Sequence, residues 1–370
     1  MSKLKSRFII FLVAVLLLSG CSNQTTEKSE QTTTTTPSSQ TEASVSETSE
    51  TTTSSSQTET SVPETSETTT SSSQTETSVP ETTETTVETK PPIQEEPYMK
   101  QFENSITELL PDGAEAKREG LTYPKFTKYS YFSKTAGRDT GVNVLLPPNY
   151  SEEKEYPVLY ILHGFYDNES WMARPVVNLS TIYGNLLADG EAEEMIIVLP
   201  YIFCDKNMPY CTGMDLKNCL AYDNFINDLA TDLMPFIESK FSVAKGRENT
   251  AITGFSMGGR ESLFIGFERP DLFGYIGAVC PAPGLVKLPG SAMHPGQMKS
   301  EDMVFGENTP YVLFVSSSRS DGVVGSNPDN YRKIMIKNDV KFLSHVMNKT
   351  GHDHTSVKPH LYNYLKMLFK

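Results

Sequence analysis

The run Thr250-Ala251-Ile252-Thr253-Gly254-Phe255-Ser256-Met257-Gly258-Gly259 constrains this chain more than any other. An apolar, β-favouring stretch delivers Ser256 onto a turn. An amphipathic segment carrying Leu263, Phe264 and Phe267 follows at once and stops at Arg269-Pro270, as a helix does before proline. Strand, sharp turn and helix in so few residues strain the backbone at the serine. Glycine two places before and two places after removes the Cβ atoms that would strike strand and helix. Ser256 is then the candidate nucleophile, its Oγ standing clear. The helix from Gly258 points its first N–H groups and positive dipole end at the place where an oxyanion would form. Gly-x-Ser-x-Gly also occurs in ordinary loops, so the weight comes from these flanks.

The 370 residues divide unevenly. Lys3, Lys5 and Arg7 precede the apolar run Phe8 to Leu18, which closes on Leu18-Ser19-Gly20-Cys21. That is the layout of an export signal, and the run is short for a membrane span. The closing tetrapeptide resembles the lipobox of bacterial lipoproteins, which implies lipidation at Cys21; a plain secretory signal is the alternative. Residues 22–97 are dominated by Thr, Ser and Glu, with Ser-Ser-Gln-Thr-Glu recurring around Gln40, Gln57 and Gln74. So little apolar surface cannot offset chain entropy, and a disordered stalk is expected. As a flexible coil it would reach about 50 Å, and fully extended roughly 250 Å, enough to cross a thick cell wall. Residues 98–370 are left as the single folding unit, with 27 basic and 32 acidic residues. Mild acidity without a Lys/Arg stripe argues against nucleic-acid binding.

Within that unit, Val142–Leu146, Val158–Leu162, Met195–Leu199, Thr250–Phe255, Tyr275–Val279, Tyr311–Val315 and Lys341–Val346 read as strands. Residues 178–189, 224–241, 258–268, 328–337 and 357–368 have helical periodicity. Alternation of this kind predicts an α/β fold, a mostly parallel, doubly wound sheet with helices on both faces and a site at the carboxyl ends of the strands. Residues 201–221 and 281–310 read as irregular excursions at that same end. Cys204, Cys211 and Cys219 crowd into the first of them, with Cys280 further on. In an exported protein this is compatible with one disulfide, pairing open; the spacing fits no zinc pattern.

A serine hydroxyl needs an imidazole to take its proton and a carboxylate to hold that imidazole in the right tautomer. Of six histidines, His163 follows a strand directly, as an oxyanion loop does. His294 sits in an excursion, His345 in a strand and His360 in the last helix. His352, after the last strand and beside Gly351, is the better base, with His354 its rival. Asp321, in the Ser-rich turn after an earlier strand, is the expected acid, against Asp329 and Asp353. No metal or cofactor is demanded.

Leu162-His163-Gly164, Gly254-Phe255-Ser256-Met257-Gly258-Gly259, Cys280-Pro281-Ala282-Pro283-Gly284, Ser320-Asp321-Gly322 and Gly351-His352-Asp353 with Lys358-Pro359 resemble the esterase-D-type α/β-hydrolases. Within them the chain is most similar to the family-one carbohydrate esterases, the acetylxylan and feruloyl esterases, over roughly residues 120–370. The resemblance implies Ser256 as nucleophile, His352 as base then acid, Asp321 as its orienting carboxylate, and the N–H groups of Met257 and Phe165 as oxyanion donors. One departure concerns the acyl pocket. His354 and Val357 stand where the family often has aromatic residues, and the lone tryptophan, Trp171, lies elsewhere, which favours a smaller acyl group such as acetate. The expectation is a surface-anchored serine esterase removing acetyl or feruloyl groups from a wall polysaccharide such as xylan. Other esters (siderophore, polyester, acyl sugar), acyl transfer and a silent wall-tethered binding protein are the alternatives.

Overall fold

Apolar pentapeptides form the centre of the sheet. In the protein's structure, a computed structural model describing residues 95–288 and 293–370, β3 (Val158–Leu162), β4 (Ile196–Pro200), β5 (Thr250–Gly254) and β6 (Tyr275–Val279) are buried at every position. The expected leader, Cys21 and the tract up to residue 94 lie outside the described residues. β7 (Val312–Ser318) and β8 (Leu343–Met347) complete the parallel set, with β3 between β4 and β5. An antiparallel hairpin of β1 (Phe126–Ser133) and β2 (Arg138–Leu145) joins β4, giving the order β1-β2-β4-β3-β5-β6-β7-β8.

Alternate side chains of each central strand enter opposite cores, because successive Cβ atoms point to opposite faces. Val158, Tyr160 and Leu162 pack on the side covered by α3 (Leu216–Asp223), α4 (Phe225–Asp228), α5 (Met234–Lys240), α6 (Met257–Glu268) and α7 (Asn327–Lys337). Leu159 and Ile161 face α1 (Glu95–Lys100), α2 (Leu179–Ala188) and α8 (His354–Met367). Each such side chain, fully buried, contributes about 1.5–3 kcal/mol, so the sheet is a rigid floor for whatever its carboxyl end displays.

Sequence and structure part company at several places. Strand β1 is on the edge and only half covered, so its apolar period is weak. The excursion at 201–221 contains the start of α3, capped by Asp215, whose carboxylate accepts from the Asn218 amide at 2.9 Å. The expected helix at 224–241 is interrupted by a π turn at Leu229–Leu233, just before Pro235, which lacks an N–H to continue the ladder. The compatible disulfide is not formed either: Cys204, Cys211, Cys219 and Cys280 are all free thiols.

Candidate active site

Ser256 sits at φ 56° and ψ −113°, a conformation that costs a non-glycine residue about 1–3 kcal/mol. The crowding around it makes the glycines obligatory. A Cβ on Gly254 would lie 2.4 Å from the Gly258 carbonyl, and one on Gly258 would lie 2.4 and 2.5 Å from the carbonyl oxygens of Leu162 and His163. The end of β3 therefore abuts the first turn of α6. Ser256 N donates to the Val279 carbonyl at 3.0 Å, tying the elbow to β6. Among the described residues, neither the Met257 nor the Phe165 amide donates to a protein acceptor.

His352, in the loop after β8, bridges two of the expected partners. Its Nε2 lies 2.8 Å from Ser256 Oγ and its Nδ1 lies 2.7 Å from Asp321 Oδ2. Asp321 occupies the turn after β7, and its other oxygen accepts the amides of Val323 at 2.9 Å and Val324 at 3.2 Å. Burial works to raise the Asp321 carboxyl. The hydrogen bond and charge of His352, with those two amides, outweigh it and hold the group below the ordinary carboxylate range. A carboxylate at Nδ1 fixes the proton there and leaves the Nε2 lone pair facing the serine.

The rivals have other work. Asp329 pairs with Arg332 at 2.7 Å, and Asp353 caps α8 by accepting the Thr355 amide at 2.8 Å. His354 opens α8. His294 Nε2 lies 2.8 Å from Asp223 Oδ2, and His345 and His360 share Ser316 Oγ at 3.0 and 2.7 Å. His163 donates through Nδ1 to the Gly164 carbonyl at 2.8 Å and accepts the Ile202 amide at 3.1 Å. Burial pushes it down to about 4, so it is a neutral strut under the loop that carries Phe165.

Three features escaped the sequence. Trp171 stacks on Phe255 with centroids 5.2 Å apart and planes 7° apart, and Phe255 lies 4.6 Å from the His352 ring. The lone tryptophan thus reaches the site from the β3 loop. Phe165 and the exposed Tyr166, in the same loop after β3, pack edge to face at 4.8 Å. Fully buried Arg260, in the first turn of α6, binds Glu261 at 2.7 Å and also Asp223 of α3; Gln297 of the second excursion donates to Glu261 at 2.8 Å and Asp223 at 3.1 Å. That network fastens both excursions to the helix behind Ser256. Cys280, one residue past β6, stands beside the pair Asp321 and His352.

The model of the family described as "Putative esterase" matches residues 133–347, more than half of the chain. The chain belongs to the Esterase family. A ferulic acid esterase from the anaerobic fungus Anaeromyces mucronatus is 37% identical at a TM-score of 0.68, over 71% of this esterase and 97% of the fungal chain; a second structure of it holds ferulic acid. An endo-1,4-beta-xylanase/feruloyl esterase of Xylanibacter ruminicola is 31% identical over 44% of this chain. This esterase spans only 22% of that relative's length. An S-formylglutathione hydrolase from Agrobacterium tumefaciens, 15% identical at a TM-score of 0.51, shares the fold alone. The architecture is that of an α/β-hydrolase.

Proposed function

We propose that this esterase hydrolyses carboxylic esters through Ser256, His352 and Asp321 and removes feruloyl or acetyl groups from a plant-wall polysaccharide such as xylan. The observation that carries the reading is the unbroken chain from Ser256 Oγ to His352 at 2.8 Å and on to Asp321 at 2.7 Å. Ser256 attacks the ester carbonyl while His352 takes its proton. The developing oxyanion meets the amides of Met257 and Phe165, which have no competing acceptor among the described residues. His352 returns the proton to the departing sugar hydroxyl, and water repeats the sequence to release the acid.

The relatives support the substrate class, being named for feruloyl and xylan chemistry. The stack of Trp171 on Phe255 beside the His352 ring suits a planar acyl group and offsets the sequence argument for acetate from His354 and Val357. We further propose display at the outer cell surface through lipidated Cys21 and the Ser/Thr/Glu-rich stalk.

The test is ferulate and acetate release from feruloylated arabinoxylan and acetylated xylan. Wild type should liberate one or both acids, and Ser256→Ala neither. Turnover by Ser256→Ala close to wild type defeats the mechanism, and absence of both products with active p-nitrophenyl acetate hydrolysis defeats the substrate. Loss of membrane partition in Cys21→Ser checks the anchor.

A further inference from the structure

We propose that Cys280, Asp321 and His352 form an inhibitory site for a soft divalent cation such as Zn²⁺ or Cd²⁺, in which the cation traps the imidazole in the tautomer that cannot accept the serine proton. The inference rests on the reading of His352 as base and Asp321 as its partner.

Topology puts the thiol there. β6 lies between β5, which ends in the elbow, and β7, which leads to the Asp321 turn, so the first residue past β6 falls between nucleophile and acid. Cys280 is held in place by a left-handed backbone at φ 48° and by its amide bonding to the Ser316 carbonyl at 2.8 Å. It is fully buried, and one ligand atom from each of Cys280, Asp321 and His352 lies within 4.8 Å of the others. Tetrahedral zinc with sulfur at about 2.3 Å and nitrogen or oxygen at about 2.0–2.2 Å sets its ligand atoms roughly 3.3–3.6 Å apart. The 2.7 Å contact from Nδ1 to Asp321 must therefore open by under about 1 Å, and a pair at the 4.8 Å limit must close by roughly 1 Å, both within the freedom of side-chain rotation.

Without a cation the buried thiol lies beside the Asp321 carboxylate with nothing to offset a second negative charge. A doubly charged ion supplies the compensation that a thiolate and a carboxylate together need. On binding, the Sγ–H bond breaks, its proton leaves to solvent, and sulfur bonds the cation. The imidazole proton moves from Nδ1 to Nε2, Nδ1 donates its lone pair to the cation, and Asp321, already ionised, trades an N–H donor for the metal. Nε2–H now faces Ser256 Oγ and cannot take its proton. Thiolate ligation selects soft ions, so Mg²⁺ and Ca²⁺ do not bind in this way.

The experiment uses the full chain. Zn²⁺ should inhibit p-nitrophenyl acetate hydrolysis, with full recovery on adding EDTA, and Cys280→Ser should need at least about tenfold more Zn²⁺ for half-inhibition. In the Ser256→Ala background, Cd²⁺ should give ultraviolet thiolate-to-metal absorption that drops by one cysteine's worth in Cys280→Ser. Equal half-inhibition in wild type and Cys280→Ser, or cadmium absorption unaltered by that substitution, overturns the site. If Cys280→Ser does not fold, wild type decides: inhibition by Mg²⁺ as strong as by Zn²⁺ also overturns it. The optical readout needs no turnover. A surviving cadmium signal in a Ser256→Ala chain that still hydrolyses esters would sink the proposed function and leave the metal site standing.

Discussion

Replacing Asp321 with asparagine changes almost no atoms, yet it should disable the base that activates Ser256. One oxygen of Asp321 is pinned by the Val323 and Val324 amides at 2.9 and 3.2 Å. In Asp321→Asn the amide oxygen must take that place, since an NH₂ group there would oppose two N–H donors. The NH₂ is then turned onto His352 Nδ1, which must become an acceptor, so the ring proton moves to Nε2 and points at Ser256. Two losses combine. At an effective dielectric of about 20, unit charges about 4 Å apart attract by about 4 kcal/mol, so the missing charge beside the imidazolium alone costs about 10³-fold in rate. The wrong tautomer brings the total to about 10⁴-fold, or about 5.5 kcal/mol. The assay is kcat on p-nitrophenyl acetate and methyl ferulate, beside thermal unfolding to confirm that the near-isosteric variant is folded. A folded Asp321→Asn enzyme within about tenfold of wild-type kcat would refute the argument, because the two amides would then not be setting the tautomer.

Three further outcomes are expected. Gly258→Ala drives a Cβ into two main-chain oxygens at 2.4 and 2.5 Å that cannot step aside, so it should cost about 1–3 kcal/mol or more and most of the activity; an unchanged urea midpoint with wild-type kcat would show that the elbow is looser than described. His163 titrates near 6.5 when unfolded and near 4 when buried, so its contribution is intact above pH 6.5 and is lost as the pH falls toward 4, about 3 kcal/mol in all. Glu261, pushed up by burial, pulls the other way, so the measurement is the difference between wild type and His163→Gln in urea stability at pH 7 and pH 4; identical pH slopes in the two proteins contradict the assignment. Finally, Cys204, Cys211, Cys219 and Cys280 should all react with a thiol reagent in denaturant without prior reduction, and a pair that reacts only after reduction contradicts the free-thiol arrangement.

Much of this site was legible because its signals are local. An apolar run, a serine between spaced glycines and an amphipathic continuation require only neighbours in the chain, so the elbow and Ser256 could be read directly. Strand and helix periods likewise gave the parallel sheet and the end of it that matters. Edge strand β1 was missed because half of its side chains meet solvent and follow no apolar period. Asp215 ahead of Asn218 was a readable cap for α3. Choosing among acids and bases was a different problem. Asp321 and Ser256 reach His352 across sequence separations of 31 and 96, and the rivals Asp329, Asp353 and His354 were set aside only by contacts and placement: Asp329 pairs with Arg332, Asp353 caps α8 and His354 opens it. The place of Cys280 beside Asp321 and His352, the Arg260 network and the stack of Trp171 on Phe255 could not be read from the sequence, because their neighbours are supplied by strands and loops far along the chain. Sequence spacing sets what a segment can do with its own backbone; contacts between side chains from separate segments are fixed only when burial packs those segments together.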